Sequence, residues 1–254
     1  PWFLWYAFNL PHSPYFVPRE SEPNFTPVSA PTTTSNLANS KKYFDVLVQE
    51  MDREIGALLD SLPAETRENT VVIFVGDNGS AHTAVDPPFV PDQSKFSLFQ
   101  GGIHVPLIVS GPDVAKGASV DALVNTTDLF ATIVNLAVGD EALDSGSISP
   151  DSVSLVPYLR DPQCKPQRSW AYADRFLSKV GIESGDYAIR DERYKLIGSV
   201  TWNEFYDLES DPYERNNLLA SGLNEEQQTS IMRLRRIAID LHRTEGRTTP
   251  GLRN

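Results

Sequence analysis

The sequence predicts an α/β fold: part of a large mixed, mostly parallel sheet flanked by helices, followed by a small antiparallel sheet with a terminal helix. Three observations lead there. Val71–Val75 is a run of β-branched and aromatic residues, as fits a strand buried on both faces of a parallel sheet. The segment before it keeps apolar residues at the 3.6-residue spacing of an amphipathic helix, giving a helix-then-strand unit. Beyond about residue 168 the pattern changes to short aromatic segments separated by turn signals, as in an antiparallel sheet.

Taken in order, Trp2–Phe8 is aromatic-rich and reads as another buried strand, stopped by Pro11 and Pro14. Residues 18–39, rich in Pro, Ser, Thr and Asn, read as a long surface loop. A helix is predicted from about Lys41 to Ser61, with Phe44, Leu47, Val48, Met51, Ile55, Leu58, Leu59 and Leu62 inward, Ser40 as N-cap and Pro63 as the stop. After Val75 comes the polar turn Gly76-Asp77-Asn78-Gly79, then a proline-containing loop, Ser80–Ser97, carrying His82, Asp86 and Lys95. The pair Gly101-Gly102 allows close backbone approach or positive φ, and Leu107–Val109 reads as a third buried strand. Asn125–Val138 is predicted helical with Leu129, Phe130, Ile133, Val134 and Ala137 inward; Ser154–Leu159 is a short helix. Ser169–Phe176, Tyr187–Arg190, Tyr194–Val200 and Glu204–Leu208 are the antiparallel strands, Asp211-Pro212-Tyr213-Glu214 a turn, and Glu225–Arg243 the last helix, with Ile231, Leu234, Ile237, Ala238 and Leu241 on one face. A boundary near residues 160–168 divides the chain into 1–162 and 163–254.

With 254 residues there is enough chain for a sizeable core. A net charge of −12 disfavours a general role on nucleic acid or anionic membranes, while leaving room for an anionic substrate in a locally cationic cleft. The longest apolar run, Pro1–Leu10, is too short to span a bilayer, and with no basic segment before it does not read as a signal peptide. Opening at Pro1 inside an apparent strand, the sequence looks cut from something longer. The single cysteine, Cys164, excludes an internal disulfide framework.

Ligands in open α/β sheets bind at the carboxyl ends of strands. His12 and the Asp77-Asn78 pair both lie just past such ends, and Asp77 and Asn78 offer a carboxylate and an amide oxygen suited to a hard cation. Asp-Asn-Gly alone is also a common turn, and a loop histidine is commonly a structural hydrogen-bonder.

Several separate segments together resemble the later part of a sulfatase, in the alkaline-phosphatase-like superfamily. Phe8-Asn9-Leu10-Pro11-His12-Ser13-Pro14 resembles the family's strand ending in Asn-x-Pro-His-x-Pro, and Val75–Gly79 its Asp-Asn-Gly metal-binding turn. Lys95 followed by Phe99-Gln100-Gly101-Gly102-Ile103-His104-Val105-Pro106 resembles its Lys-x(n)-Tyr-Glu-Gly-Gly-Ile-Arg-Val-Pro segment. Thr127–Thr132 and Ser154–Pro157 match its later core. Arg193–Leu196, Phe205–Leu208, Asp211-Pro212 and Asn216-Asn217-Leu218 match its carboxy-terminal subdomain. The resemblance implies hydrolysis of a sulfate ester at one divalent cation, usually Ca²⁺ with Mg²⁺ as the variant, by a formylglycine nucleophile. Asp77 and Asn78 are then metal ligands. His12 and Lys95 contact the sulfate and leaving-group oxygens, and His82 is a further substrate-binding candidate. The family also implies a periplasmic or secreted full-length protein.

Gln100 stands where the family has Glu, and His104 where it has Arg. The family's Asp-Asp pair and its Cys/Ser-x-Pro-x-Arg nucleophile motif, which belong upstream of these segments, are absent from the chain. Cys164-Lys165-Pro166-Gln167-Arg168 fits that motif in letters, yet it follows the Asp-Asn-Gly turn instead of preceding it and runs on into a strand, so it reads as a decoy. Uncovered sheet surface predicts self-association. The alternatives are a phosphodiester or phosphonate monoester hydrolase of the same superfamily, and a non-catalytic module that binds anions or a partner.

Overall fold

The structure is a computed structural model that describes residues 2–15, 39–139, 152–175, 186–198 and 202–244. The predicted loop at 18–39 lies outside these except for Asn39.

Helix α1, Ser40–Asp60, starts one residue early: Asn39 occupies the cap without a side-chain bond, and Ser40 is buried as the first helical residue. Tyr43, Val46 and Leu47 form its buried face, and Val48 turns outward. The short α2, Ala64–Glu68, leads to β1, Val72–Val75. Among the described residues β1 has one partner, β2 (Leu107–Ser110), paired antiparallel with Val75 opposite Leu107. Two strands cannot cover each other's faces. β1 is therefore half-buried throughout, and Ile108 of β2 is 62% exposed, against the expectation of buried strands. Trp2–Phe8 forms no strand, Trp2 to Tyr6 are exposed, and none of the described residues pairs with this segment as a strand.

Helix α4, Asp128–Val138, which follows the four-residue α3, Gln100–Ile103, buries the face opposite to the one its apolar spacing predicts. Its buried residues are Asp128, Ala131, Thr132 and Asn135, while Phe130 and Val138, apolar members of the opposite face, are exposed. Specific partners hold the polar face inside. Asp128 pairs with Arg168 and accepts from the Asn125 and Val153 amides at 2.8 and 2.9 Å. Thr132 Oγ1 accepts from the Leu155 amide, and Ser154 donates to Asn135. The predicted short helix is α5, Val156–Arg160.

The aromatic segments form the expected four-stranded antiparallel sheet: β3 (Ala171–Arg175), β4 (Asp186–Arg190), β5 (Tyr194–Gly198) and β6 (Trp202–Asp207), in that order. Alternation along each strand sends side chains to two different layers. Tyr187, Ile189, Tyr194, Leu196 and Phe205 pack on Ile231, Leu234 and Ala238 of the terminal helix α6, Glu225–Thr244. Ala188, Ile197 and Tyr206 face the other way, onto Leu98, Phe99 and Ile103. Every residue of the central strand β5 is accordingly buried. Asn217 closes the β6 edge, accepting from the Phe205 amide and donating to the Asn203 carbonyl.

The β4–β5 turn is set by Asp191, whose carboxylate accepts from the Arg193 and Tyr194 amides. This aims Arg193 at Asp207, which it holds with two hydrogen bonds of 3.0 and 2.9 Å. Those bonds draw the Asp207 carboxyl below its ordinary 3.8, against the upward push of burial. A depressed folded-state value means stability that is fully present above the unfolded value and lost as pH falls through the folded one. The sheet is therefore expected to weaken as pH drops below 3.8. In Arg193→Met that part of the acid dependence disappears; circular dichroism melts across the acid range measure it.

Candidate active site

The Asp77-Asn78 turn is built by backbone contacts on both sides. Gly76 extends the β1–β2 ladder, its amide donating to the Pro106 carbonyl at 3.0 Å. The Gly79 amide donates to the Gly102 carbonyl at 2.8 Å, and the Lys95 amide to the Ser80 carbonyl at 3.0 Å. The turn and the Lys95 segment thus meet although separated in sequence. Their contact depends on glycine: a Cβ on Gly79 would lie 1.8 Å from the Gly101 carbonyl oxygen. Likewise, Cβ atoms on Gly101 and Gly102 would lie 2.4 Å from the Gln93 oxygen and 2.3 Å from the Ser97 oxygen. Of the two uses expected for Gly101-Gly102, it is close approach that this pair serves.

Asp77 is exposed and Asn78 half-buried, at the end of β1. Lys95 is half-buried, with its ammonium 5.4 Å from the centre of the Phe96 ring. Phe96 itself is 75% exposed at φ +72°, a left-handed conformation costing an aromatic residue about 1–3 kcal/mol. Arg175 Nη1 donates to the Phe96 carbonyl at 2.9 Å and pins this conformation beside Lys95. His82 is exposed on the loop between.

His12 is exposed, and its hydrogen bonds are local: its amide donates to the Asn9 carbonyl, and Nδ1 lies 2.5 Å from the Ser13 carbonyl oxygen. A carbonyl only accepts, so Nδ1 carries the proton and Nε2 is the outward nitrogen. The His12 loop and the His82 loop converge on the first turns of α1. Tyr15 stacks on Tyr43 at 5.8 Å, and Asp86 pairs with Lys41 at 2.9 Å. His12 is tied to the other candidates through α1 and not by direct contact.

As a cation site the pair falls short on its own. Asp77 and Asn78 offer about three oxygens at most where Ca²⁺ takes about 6–8. Among the described residues no group of three or more His, Cys, Asp and Glu is placed to hold a metal ion. A cavity of about 180 Å³ lies nearby, between the Ser97–Phe99 stretch and Arg175, Asp186 and Glu204 of the sheet, but no candidate residue lines it.

The sequence reading missed the buried group behind α3. Lys195 and Glu214 are an ion pair at 2.6 Å, both sealed from solvent. Burial lowers the Lys195 ammonium to about 8 against the pull of Glu214, and raises the Glu214 carboxyl. Gln100 joins them, its Oε1 accepting from Lys195 at 3.2 Å. Both departures from the sulfatase pattern sit here. Gln100 is neutral where Glu214 already supplies the carboxylate. His104, exposed at the end of α3, has its proton affinity lowered by desolvation and by the nearby Arg190 and Lys195 cations. The signal in the sequence was a lysine inside an aromatic strand.

Cys164 lies beside α5, half-buried, and Arg168 of the same five-residue stretch is consumed by Asp128. That placement fits a structural connection.

A sulfatase family model matches residues 1–139, more than half of the chain. The chain belongs to the sulfatase family. A second model, for the N-sulphoglucosamine sulphohydrolase C-terminal region, matches residues 93–239, so it takes in Lys95, the Gly101-Gly102 pair and the antiparallel sheet. Among sulfatase relatives, Arylsulfatase K of Xenopus laevis is 23% identical, aligned over 93% of this chain and 51% of that protein. Choline-sulfatase of Rhizobium meliloti is 25% identical over 86% and 46%. A solved structure in complex with its substrate D-glucosamine-2-N,6-O-disulfate shares the fold at a TM-score of 0.62 and 22% identity, over 82% of this chain and 41% of that one. The phosphonate monoester hydrolase of Silicibacter pomeroyi does so at 0.63 and 18%, over 85% and 43%. The chain thus spans about half the length of these relatives. No helix among its described residues is long and apolar enough to cross a membrane.

Proposed function

We propose that this polypeptide is the later, anion-holding portion of a sulfuric ester hydrolase. The observation that carries the reading is the backbone union of the Asp77-Asn78 turn with the Lys95 segment, through the Ser80 and Gly102 carbonyls. In this reading Lys95 neutralises sulfate oxygens, and His12 contacts the leaving-group oxygen through its outward Nε2. His82 borders the same substrate. Asp77 and Asn78 contribute to a Ca²⁺ or Mg²⁺ site whose remaining ligands lie outside the described residues. The family's cation and formylglycine would supply charge stabilisation and the nucleophile.

The exposed apolar run Trp2–Tyr6, with Ile108, Phe130 and Val138, makes the isolated polypeptide prone to self-association. Net charge argues against nucleic acid and anionic membrane as partners. The family resemblance supports a periplasmic or secreted location for the full-length protein. A phosphonate monoester hydrolase is the second reading because such an enzyme shares the fold at a TM-score of 0.63, beside 0.62 for the substrate-bound structure.

Titration followed by ¹H–¹⁵N NMR tests the assignment. Calcium is expected to move Asp77 and Asn78 with about millimolar affinity or weaker, as suits a partial ligand set. Sulfate should move Lys95 and His12, more strongly with calcium present and more than methylphosphonate does. Asp77→Ala should remove the calcium effect. Calcium and sulfate shifts at unrelated positions would show that these residues do not share a site.

A further inference from the structure

Glu214 is held in a way a surface turn does not require. It ends the Asp211–Glu214 turn at φ +55°, a left-handed conformation unfavourable to a residue with a side chain, and is 2% exposed. Its carboxylate divides between two partners in separate parts of the chain: Oε2 accepts from the Gln100 amide at 2.5 Å, and Oε1 lies 2.6 Å from Lys195 Nζ. Its own carbonyl accepts from Gln93 Nε2 at 3.1 Å. The flanking residues grip the same loop, Tyr213 edge-on to Phe89 at 5.2 Å and Arg215 donating to the Pro88 carbonyl at 2.8 Å. Gln100 opens α3, and α3 carries the Gly102 carbonyl that receives the Gly79 amide. Glu214 therefore stands one short helix away from the Asp77-Asn78 turn.

We propose that Glu214 is a positioning residue for the candidate active site: by holding the Gln100 amide and the Lys195 ammonium together, it fixes α3 against the carboxy-terminal sheet and so sets the Asp77-Asn78 turn. The inference rests on the functional reading above only for what that turn does. A buried carboxylate tied to a backbone amide suits this task, since a charge-assisted hydrogen bond is both stronger and more directional than a neutral one.

Amide hydrogen exchange and ¹H–¹⁵N spectra of the wild-type chain, Glu214→Gln and the double variant Glu214→Leu/Lys195→Met test it. The double variant replaces the ion pair by apolar groups of similar size, which buried pairs commonly tolerate, and keeps the sheet folded. Expected in both variants is exchange about tenfold faster at Gly79 and Gln100, the ratio that corresponds to about 1.4 kcal/mol, with moved Asp77 and Asn78 cross-peaks. Ile189 and Leu196 in the sheet of the double variant should keep wild-type rates. Unchanged Gly79, Asp77 and Asn78 signals would overturn the proposal. So would faster exchange spread evenly over the sheet, which would make Glu214 a support of the sheet alone. Calcium and sulfate shifts of the wild type judge the functional reading separately, because exchange is measured without either ion.

Discussion

Arg168→Met is expected to lower stability by about 3–5 kcal/mol, while Cys164→Ser four residues earlier stays within about 0.5 kcal/mol. Asp128 is 1% exposed and carries a full charge when ionised. Among the described residues two amides and the Arg168 guanidinium satisfy it, and the guanidinium neutralises it. Removing that partner leaves a buried carboxylate at the start of α4, anchored to the segment around Val153. Among the described residues Cys164 makes no comparable contact; its amide donates locally to the Asp161 carbonyl. Urea unfolding of both variants measures the contrast. Equal, small losses would mean that Arg168 is free for another role, and the literal match of Cys164–Arg168 to a nucleophile motif would regain weight.

The second large effect is expected at Gly79→Ala, with a loss of about 2–4 kcal/mol. The new Cβ would sit 1.8 Å from the Gly101 oxygen and 2.8 Å from its carbonyl carbon, both backbone atoms that no rotamer change can move. Relief requires the turn and α3 to separate, breaking the Gly79–Gly102 hydrogen bond and shifting Asp77 and Asn78. Gly56→Ala is the internal comparison. Nothing lies within 4 Å of a Cβ there, inside α1. Better helix propensity should then stabilise the chain by about 0.8–1 kcal/mol. Denaturant midpoints give both values. A neutral Gly79→Ala would mean that the turn is not packed against α3.

What the sequence reveals of this fold depends on how local each signal is. The β1 strand, the turn after it and the four-stranded sheet with α6 are legible because alternation, helical spacing and turn residues are read within a few positions. The Gly101-Gly102 pair announces a close approach, though not that Gln93 and Ser97 are the neighbours. Long-range partners are where the reading fails. Helix α4 shows an apolar stripe through Phe130, yet its polar side is buried because Arg168, Leu155 and Ser154 satisfy it. Lys195 and Glu214 look like surface charges until the fold brings them together. Trp2–Phe8 has the composition of a strand, and composition does not supply the neighbouring strands that would pair with it. For the site, the Asp77-Asn78 turn and Lys95 were legible through family motifs. The buried anchor behind them was not, because its residues come from three distant segments.

As proposed, this polypeptide carries residues that hold a sulfate ester and contribute to a cation site, but not the nucleophile that attacks. The direct measurement is hydrolysis of an aryl sulfate by the purified 254-residue chain with added calcium, beside Asp77→Ala and Lys95→Ala. Release of the phenol is expected at the uncatalysed background rate in all three. Turnover above background that both substitutions abolish would contradict the proposal.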